Sequence, residues 1–371
     1  SSSLRARLQA RGENPVDMSE VVRLVRIDDL RSCVSVAFER LDLTPEDAEE
    51  LSGLLVDAEL RGHPDHGVAA LGVLATFYRE GKLNPRPRVR VLRETDGAIL
   101  FDGDRGCGPS VPTRAMQWCI ERARERKGMA VAAVRDWQLL VAAPYARLAA
   151  EAGLIGFACT NFVPLVAPPG GRTPVFGTNP FAYGLPAERH QPVVLDIATT
   201  VTSMQKVRLA AQEGKQMPEG VMFDRAGGPI TDPLEFLTGG LMAPLGSPQA
   251  PHKGFGLALF VDALSGVLTG AGFAQGVAAG APGNFLWALD VEAFLPRQEF
   301  LERMDEQIDQ IKQGERLPGV EELLVPGERG QRRYLDLTAR GVVPLAPASW
   351  EILATSCESL AAPLPAVLEN G

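Results

Sequence analysis

From Val89 onward the chain alternates short apolar runs with longer amphipathic stretches, and this rhythm limits the possible folds more than any other feature. VRVLRE (Val89 to Glu94) and GAILFDG (Gly97 to Gly103) read as strands. So do MAVAAVRD (Met129 to Asp136), LIGFACTN (Leu154 to Asn161) and VVLDI (Val193 to Ile197). Helical stretches fall at Met116 to Arg126, Tyr145 to Ala152 and Gly254 to Leu268. Strands alternating with helices predict α/β layering. The first hundred residues differ, being mainly helical. Arg26 to Glu39 carries a helical apolar rhythm, and Leu71 to Glu80 reads as another helix. Between them Thr44-Pro45-Glu46-Asp47 has the chemistry of a helix start running on to Leu60. The hydroxyl can cap, proline suits the first turn, and acids favour the positive end. Phe300 to Gln313 and Ser349 to Leu360 add helices near the end, and residues 1–20 read as a flexible leader.

Composition narrows the function classes. With 371 residues, 45% of them hydrophobic, the chain has material for two lobes with cores. A net charge of -9 argues against nucleic-acid partners, which need a basic surface. Gly254 to Phe273 is almost wholly apolar, but Asp262 and several glycines interrupt it, so we expect a buried helix and no membrane span. Five scattered cysteines form no CxxC pair, which signals neither zinc nor a disulfide frame and fits a reducing cytoplasm.

Several segments have residues suited to chemistry. RGHPDHG (Arg61 to Gly67) offers His66, whose imidazole can donate a proton near neutrality. His63 lies three residues before it, but no third ligand accompanies them, so we expect no metal. Asp196 ends an apolar strand, where a carboxylate can face a cleft, or it can cap a helix over Ala198 to Met204. In GTNP (Gly177 to Pro180), Asn179 has amide groups for a ligand. Lys253 in PHKGFG (Pro251 to Gly256) stands beside a helix start, either as a phosphate clamp or as a solvated lysine. No GxGxxG follows a first strand. Gly103, Gly106 and Gly108 give GxxGxG, which carries little weight as a dinucleotide fingerprint.

Taken in order, RGHPDHG, DGDRGCG (Asp102 to Gly108), GGRTPVFGTNP (Gly170 to Pro180), VVLDIATT (Val193 to Thr200), PEG (Pro218 to Gly220), PITDP (Pro229 to Pro233) and PHKGFG resemble one family. It is the malate/L-lactate dehydrogenases of the sulfolactate dehydrogenase type, which also holds ureidoglycolate dehydrogenases and cyclic ketimine reductases. The resemblance runs from Leu43 to Leu353. It implies an α/β, non-Rossmann nicotinamide-binding domain taking NADPH or NADH, with a mainly helical second lobe. We place the helical lobe at 21–95 plus 290–360 and the cofactor- and substrate-binding domain at 96–289. It also implies a homodimer with the active site between lobes. His66 matches the family's proton donor, Asp196 an acid near substrate and nicotinamide, and Lys253 a cofactor contact. Thr178, Thr199, Thr200 and Gly254 fall in the matched cofactor segments, and Asn179 in a substrate segment. Pro326-Gly327-Glu328 matches a PGE segment that touches the cofactor in some members.

The chain departs from the family where the chemistry is done. Leu139 stands where a second histidine belongs, and Trp137 replaces a serine. Asp65 replaces another serine, and Ala70 stands where members often have an arginine, a natural partner for a substrate carboxylate. Loss of such a clamp costs a carboxylate substrate about 2 kcal/mol or more. A new carboxylate at Asp65 and an apolar wall at Leu139 favour a cationic, partly hydrophobic substrate, such as a cyclic imine or iminium, with Trp137 adding a cation–π contact. The expected function is therefore an NAD(P)H-dependent oxidoreductase reducing a C=N bond. The alternatives are a 2-hydroxy-acid dehydrogenase, a non-redox cyclase or isomerase on the same scaffold, and a binding-only homologue. Lys206 and Arg208 do not make a convincing 2′-phosphate site, so NADPH and NADH both stay open.

Overall fold

The computed structural model describes residues 22–135, 139–277 and 282–368. Trp137 and the leader at 1–20 lie outside the described residues. The chain runs β1 (Arg23–Arg26), α1 (Ile27–Glu39), α2 (Pro45–Leu60), a 3-10 turn (Pro64–His66), α3 (Ala70–Arg79), β2 (Arg90–Glu94), β3 (Ala98–Asp102) and α4 (Ser110–Arg126). It continues with β4 (Met129–Arg135), α5 (Ala143–Glu151), β5 (Ile155–Thr160), β6 (Phe181–Leu185), β7 (Val193–Ile197) and α6 (Met204–Glu213). Next come two short strands, β8 (Met222–Phe223) and β9 (Pro229–Ile230), the single-turn helix α7 (Pro233–Leu237) and a third short strand, β10 (Leu241–Met242). Then follow α8 (Pro251–Asp262), β11 (Gly283–Leu289), α9 (Arg297–Lys312), α10 (Glu328–Arg340), β12 (Val342–Leu345) and α11 (Pro347–Leu360).

The molecule is mixed α/β, built on a seven-stranded sheet in the order β2-β3-β4-β11-β5-β6-β7. Only β3 and β4 pair in parallel, and the other neighbours are antiparallel. Strand β11 arrives from far along the chain and fills the middle. Its Asn284 lies opposite Val134 on one side and Thr160 on the other. Sequence periodicity finds β2 to β5 and β7, but neither β6 nor this central strand.

Helices α4 and α5 cover one face of the sheet. Beneath them the sheet presents small residues, Ala130, Ala132, Ala158, Ala182 and Ala288, all buried. Gly156 and Gly184 carry this to its limit. A Cβ at either position would lie 2.6 or 2.3 Å from the carbonyl oxygen of Ala146, so the backbone of α5 rests directly on the strands. The opposite face is aromatic, with Phe157 stacked on Trp287 at 5.4 Å. A separate apolar cluster joins the two ends of the chain. Leu30, Val34 and Phe38 of α1, Leu51 and Leu55 of α2, and Leu71 and Leu74 of α3 pack with Leu353 and Cys357 of α11. Strands β1 and β12 pair antiparallel beside it. Thr44 caps α2 as its chemistry predicts, accepting the Asp47 amide at 3.1 Å.

One buried acid supports the loop that leaves α2. Glu59 accepts the Val68 amide at 3.0 Å. Gly67 lies so close that a Cβ there would sit 2.3 Å from the same carboxyl oxygen. Burial pushes the Glu59 pKa up to about 8, against the opposing pull of the Val68 amide and the Arg333 charge. The native state therefore holds this proton more tightly than the unfolded chain. The resulting stability is complete in acid, where both states are protonated, and is lost as pH rises towards about 8. We expect Glu59→Gln to flatten the loss of stability between about pH 5 and 8, read as urea midpoints, relative to the native chain. An identical pH dependence in both proteins would show that Glu59 ionises normally.

Candidate active site

A cavity of about 1100 Å³ opens between the helical cluster and the end of the sheet. The loop after α2 supplies His63, Asp65 and His66, the sheet supplies Asp196, and the start of α6 supplies Ser203 and Lys206. Pro326, Gly327 and Arg329 close the wall at the start of α10. A smaller pocket of about 100 Å³ adjoins it, with His66, Leu140, Thr178, Pro180 and Ser203 belonging to both.

The loop geometry makes a pair of His66 and Asp65. The His66 amide donates to the His63 carbonyl at 3.0 Å, closing the 3-10 turn. Asp65 Oδ2 lies 3.2 Å from His66 Nδ1 and also accepts the Ser203 hydroxyl at 3.0 Å. Ser203 in turn caps α6 by accepting the Lys206 amide at 3.1 Å. The Asp65 contact makes Nδ1 the proton-bearing nitrogen and leaves Nε2 without a partner among the described residues. Burial opposes charge on His66, yet the bond to Asp65 and the charges of Asp65 and Asp196 outweigh it, and its pKa is raised. Burial likewise opposes charge on Asp65, but the His66 bond and charge, with Ser203 and Lys206, hold it down to about 2. Burial dominates at His63, whose pKa is lowered.

Asp196 faces the same cavity from β7. Its Oδ2 accepts the amides of Ala142 and Ala143 at 2.9 and 2.7 Å. It therefore holds the start of α5 and not a helix over Ala198 to Met204, a stretch where α6 begins only at Met204 and takes Ser203 as its cap. Asp196 is an exposed residue on the cavity wall, yet loss of hydration where the chain folds against its carboxylate raises the pKa despite the two amide bonds and the charges of His66 and His63. Asp65, not Asp196, is the acid in contact with His66.

The remaining sequence candidates divide. Thr178 and Thr200 line the cavity. Thr199 is fully buried and spends both its hydroxyl and its amide on the Thr178 carbonyl, each at 2.9 Å. Asn179 is also fully buried. Its Oδ1 accepts the amides of Phe162 and Gly177, and its Nδ2 donates to Ala258, so it locks the loop instead of meeting a ligand. Lys253 is exposed in the first turn of α8, away from the cavity wall. Gly254 packs that helix against Leu245, whose amide nitrogen would be 2.3 Å from a Cβ there. Leu139 is buried and lines the smaller pocket together with Ala70.

Sequence reading missed the cationic wall. Arg61, Arg147, Arg329 and Arg333 line the large cavity from α5, α10 and the loop after α2. Asp57 positions two of them, at 2.7 Å from Arg61 and 3.7 Å from Arg147. These arginines come from three separate stretches of sequence; Arg61 opens RGHPDHG and Arg329 directly follows the PGE segment, but nothing local shows that they share a wall.

The pairing gives a direct expectation. The chain has four histidines, few enough to follow individually by imidazole NMR. In Asp65→Asn we expect the His66 titration to move to lower pH, because the hydrogen-bonded charge that favours imidazolium is gone. An unmoved His66 titration would rule out the pair.

Comparison with known proteins identifies the family. Residues 25–354 match the malate/L-lactate dehydrogenase family. Malate dehydrogenase of Pyrococcus abyssi is 37% identical over 312 residues, covering 82% of this chain and 86% of that protein. The Delta(1)-pyrroline-2-carboxylate/Delta(1)-piperideine-2-carboxylate reductase of Pseudomonas putida is 32% identical over 273 residues, covering 73% and 75%. The crystal structure of malate dehydrogenase from Entamoeba histolytica superposes with a TM-score of 0.87 at 27% identity, covering 93% of this chain and all of that one. With its sequence matched over residues 25–354 and its fold shared, this chain belongs to the malate/L-lactate dehydrogenase family of NAD(P)-dependent oxidoreductases.

Proposed function

We propose that this enzyme reduces the C=N bond of a cyclic imine or iminium with NADPH or NADH. The observation that carries the reading is the composition of the walls around His66. An ionised Asp65 backs the imidazole, Asp196 opens on the same cavity, and apolar Leu139 lines the adjoining pocket. The carboxylates of Asp65 and Asp196 on the cavity beside the imidazole suit a substrate that carries positive charge. Relatives of both kinds frame the choice, one named a malate dehydrogenase and one a cyclic-imine carboxylate reductase.

The donor set suits a nicotinamide dinucleotide. Four arginines lining the cavity match anionic phosphates, and Thr178 and Thr200 line it as well. The nicotinamide, when bound, supplies a hydride. The hydride pair forms the new C–H bond, and the π pair of C=N moves to nitrogen. For a neutral imine, the His66 imidazolium breaks its Nε2–H bond to protonate that nitrogen and becomes neutral imidazole. For an iminium the proton is already in place. Asp65 keeps the Nδ1 proton throughout and stabilises the charged ring. The raised His66 pKa keeps the donor form populated near neutrality. On this reading residues 96–289 carry the non-Rossmann cofactor site with Arg147, Thr178 and Thr200, residues 21–95 with 290–360 close over it and add Arg61, Arg329 and Arg333, and the enzyme works as a cytoplasmic homodimer.

Fluorescence titration with NADPH and with NADH should show saturable binding of at least one and choose between them. Cyclic imines should then be reduced faster than 2-oxo acids. His66→Ala should lower kcat on a neutral imine by about 10²–10⁴-fold while leaving the cofactor Kd unchanged. Binding of neither dinucleotide would sink the oxidoreductase reading in favour of non-redox chemistry. Turnover of 2-oxo acids alone would replace the C=N assignment.

A further inference from the structure

The smaller pocket contains a cation that the reaction described above does not use. Arg208, on α6, is half-buried and lines the pocket with His66, Ala70, Leu139, Phe162 and Met204. Its guanidinium donates to the neutral Gln205 side chain at 3.0 Å. Among the described residues it has no acidic partner. Asp65, the ionised carboxylate of the site, is committed to His66 and Ser203.

A half-buried guanidinium without a counter-ion among the described residues pays a desolvation cost that a bound anion removes. Burial already pulls the Arg208 pKa below its ordinary value. The pocket's size and composition restrict the anion. About 100 Å³ holds a few heavy atoms, too little for a dinucleotide, and one guanidinium matches one planar carboxylate through two parallel N–H bonds. Ala70, Leu74, Leu139 and Phe162 give the pocket an apolar side that suits the ring or short chain of a small acid, while His66, Thr178 and Ser203 form its polar side.

We propose that Arg208 anchors the substrate's carboxylate in the small pocket and so presents the reducible carbon to His66 on the shared wall. The assignment rests on the function proposed above and deepens it, since the substrate class becomes cyclic imines that bear a carboxylate. The clamp expected to be missing at Ala70 is supplied from another helix. Ala70, Leu139 and Arg208 line one pocket, so the small side chain at 70 leaves room that a guanidinium approaching from α6 can serve.

The test compares the native enzyme with Arg208→Gln and Arg208→Lys, each first checked for an unchanged NADPH or NADH titration and thermal midpoint. The substrates are Δ1-piperideine-2-carboxylate and Δ1-piperideine, which differ only in the carboxylate. In Arg208→Gln the KM for the carboxylate substrate should rise about 30-fold, with kcat and the KM for Δ1-piperideine held. Arg208→Lys should recover part of the loss. Calorimetric binding of oxamate provides a readout without turnover and should weaken by a similar factor in Arg208→Gln, whereas oxamide, the neutral amide, should bind the variant and the native enzyme alike. An equal effect on both imines, or oxamate affinity that ignores residue 208 or is absent from the native enzyme, overturns the assignment. Failure of dinucleotide binding overturns the oxidoreductase reading instead, and oxamate binding to the cofactor-free protein still reports on Arg208.

Discussion

Helix α5 rests on the sheet at backbone distance, and the site depends on that contact. Gly156 and Gly184 remove the two Cβ atoms that would strike the Ala146 carbonyl, so the helix settles lower than any side chain would allow. Its unpaired first amides then come within reach of the Asp196 carboxylate at the end of β7. One carboxylate thereby satisfies two orphan donors, fixes where α5 starts, and sets the direction in which Arg147 leaves that helix for the cavity wall. A larger residue at either glycine would lift α5 and carry Arg147 away from the rest of the cationic wall.

Three acids surround the same loop, and their environments drive them apart. Asp65 touches an imidazole and a hydroxyl and feels Lys206, so it stays ionised in spite of burial. Glu59 has one amide and a more distant arginine, which do not offset its burial, and it keeps its proton to about pH 8. Asp196 is raised by desolvation and restrained by two amides. Since one pKa unit corresponds to about 1.4 kcal/mol, these offsets amount to large differences in the charge each acid will carry. The outcome is one firm negative charge, placed on the far side of His66 from the cavity's free nitrogen. An imidazole so backed favours donation from Nε2, which is the polarity a reductase needs.

Much of the architecture was readable because local patterns carried it. Thr44 caps α2, and the apolar runs at Val89, Met129, Leu154 and Val193 become strands. Strand β11 was not readable. GNFLWAL is a short apolar run whose partners lie more than a hundred residues away, and no local rhythm separates a central strand from a buried helix segment. The site shows the same division. His66 and Asp196 were legible as chemistry at the ends of elements, but their contacts were not, because Asp65 and Ser203 meet across tertiary space. Asn179 and Thr199 have the right groups for ligand binding and spend them on the loop that bears Thr178. Spacing in sequence cannot tell a hydrogen bond offered to a ligand from one already satisfied.

The departures from family pattern take on a different weight once they are placed in space. Leu139 and Ala70 read along the chain as two separate losses of function, a proton donor and a carboxylate clamp. In three dimensions they line one small pocket with a cation between neutral and apolar neighbours. A binding site is defined by where a guanidinium ends, not by which helix it starts from. Shortening a side chain on α3 while a long one reaches across from α6 can preserve the charge and alter the shape around it. Such an exchange retains an acid as substrate but changes the angle at which its reacting bond meets His66. Buried Leu139 adds an apolar face to the same pocket. Weak acid–base assistance is tolerable where the acceptor is an iminium, whose nitrogen already bears the proton, and far less so for a ketone. The apolar corner and the relocated cation therefore point to the same kind of substrate, one that brings its own positive charge to the carboxylates and its own negative charge to Arg208.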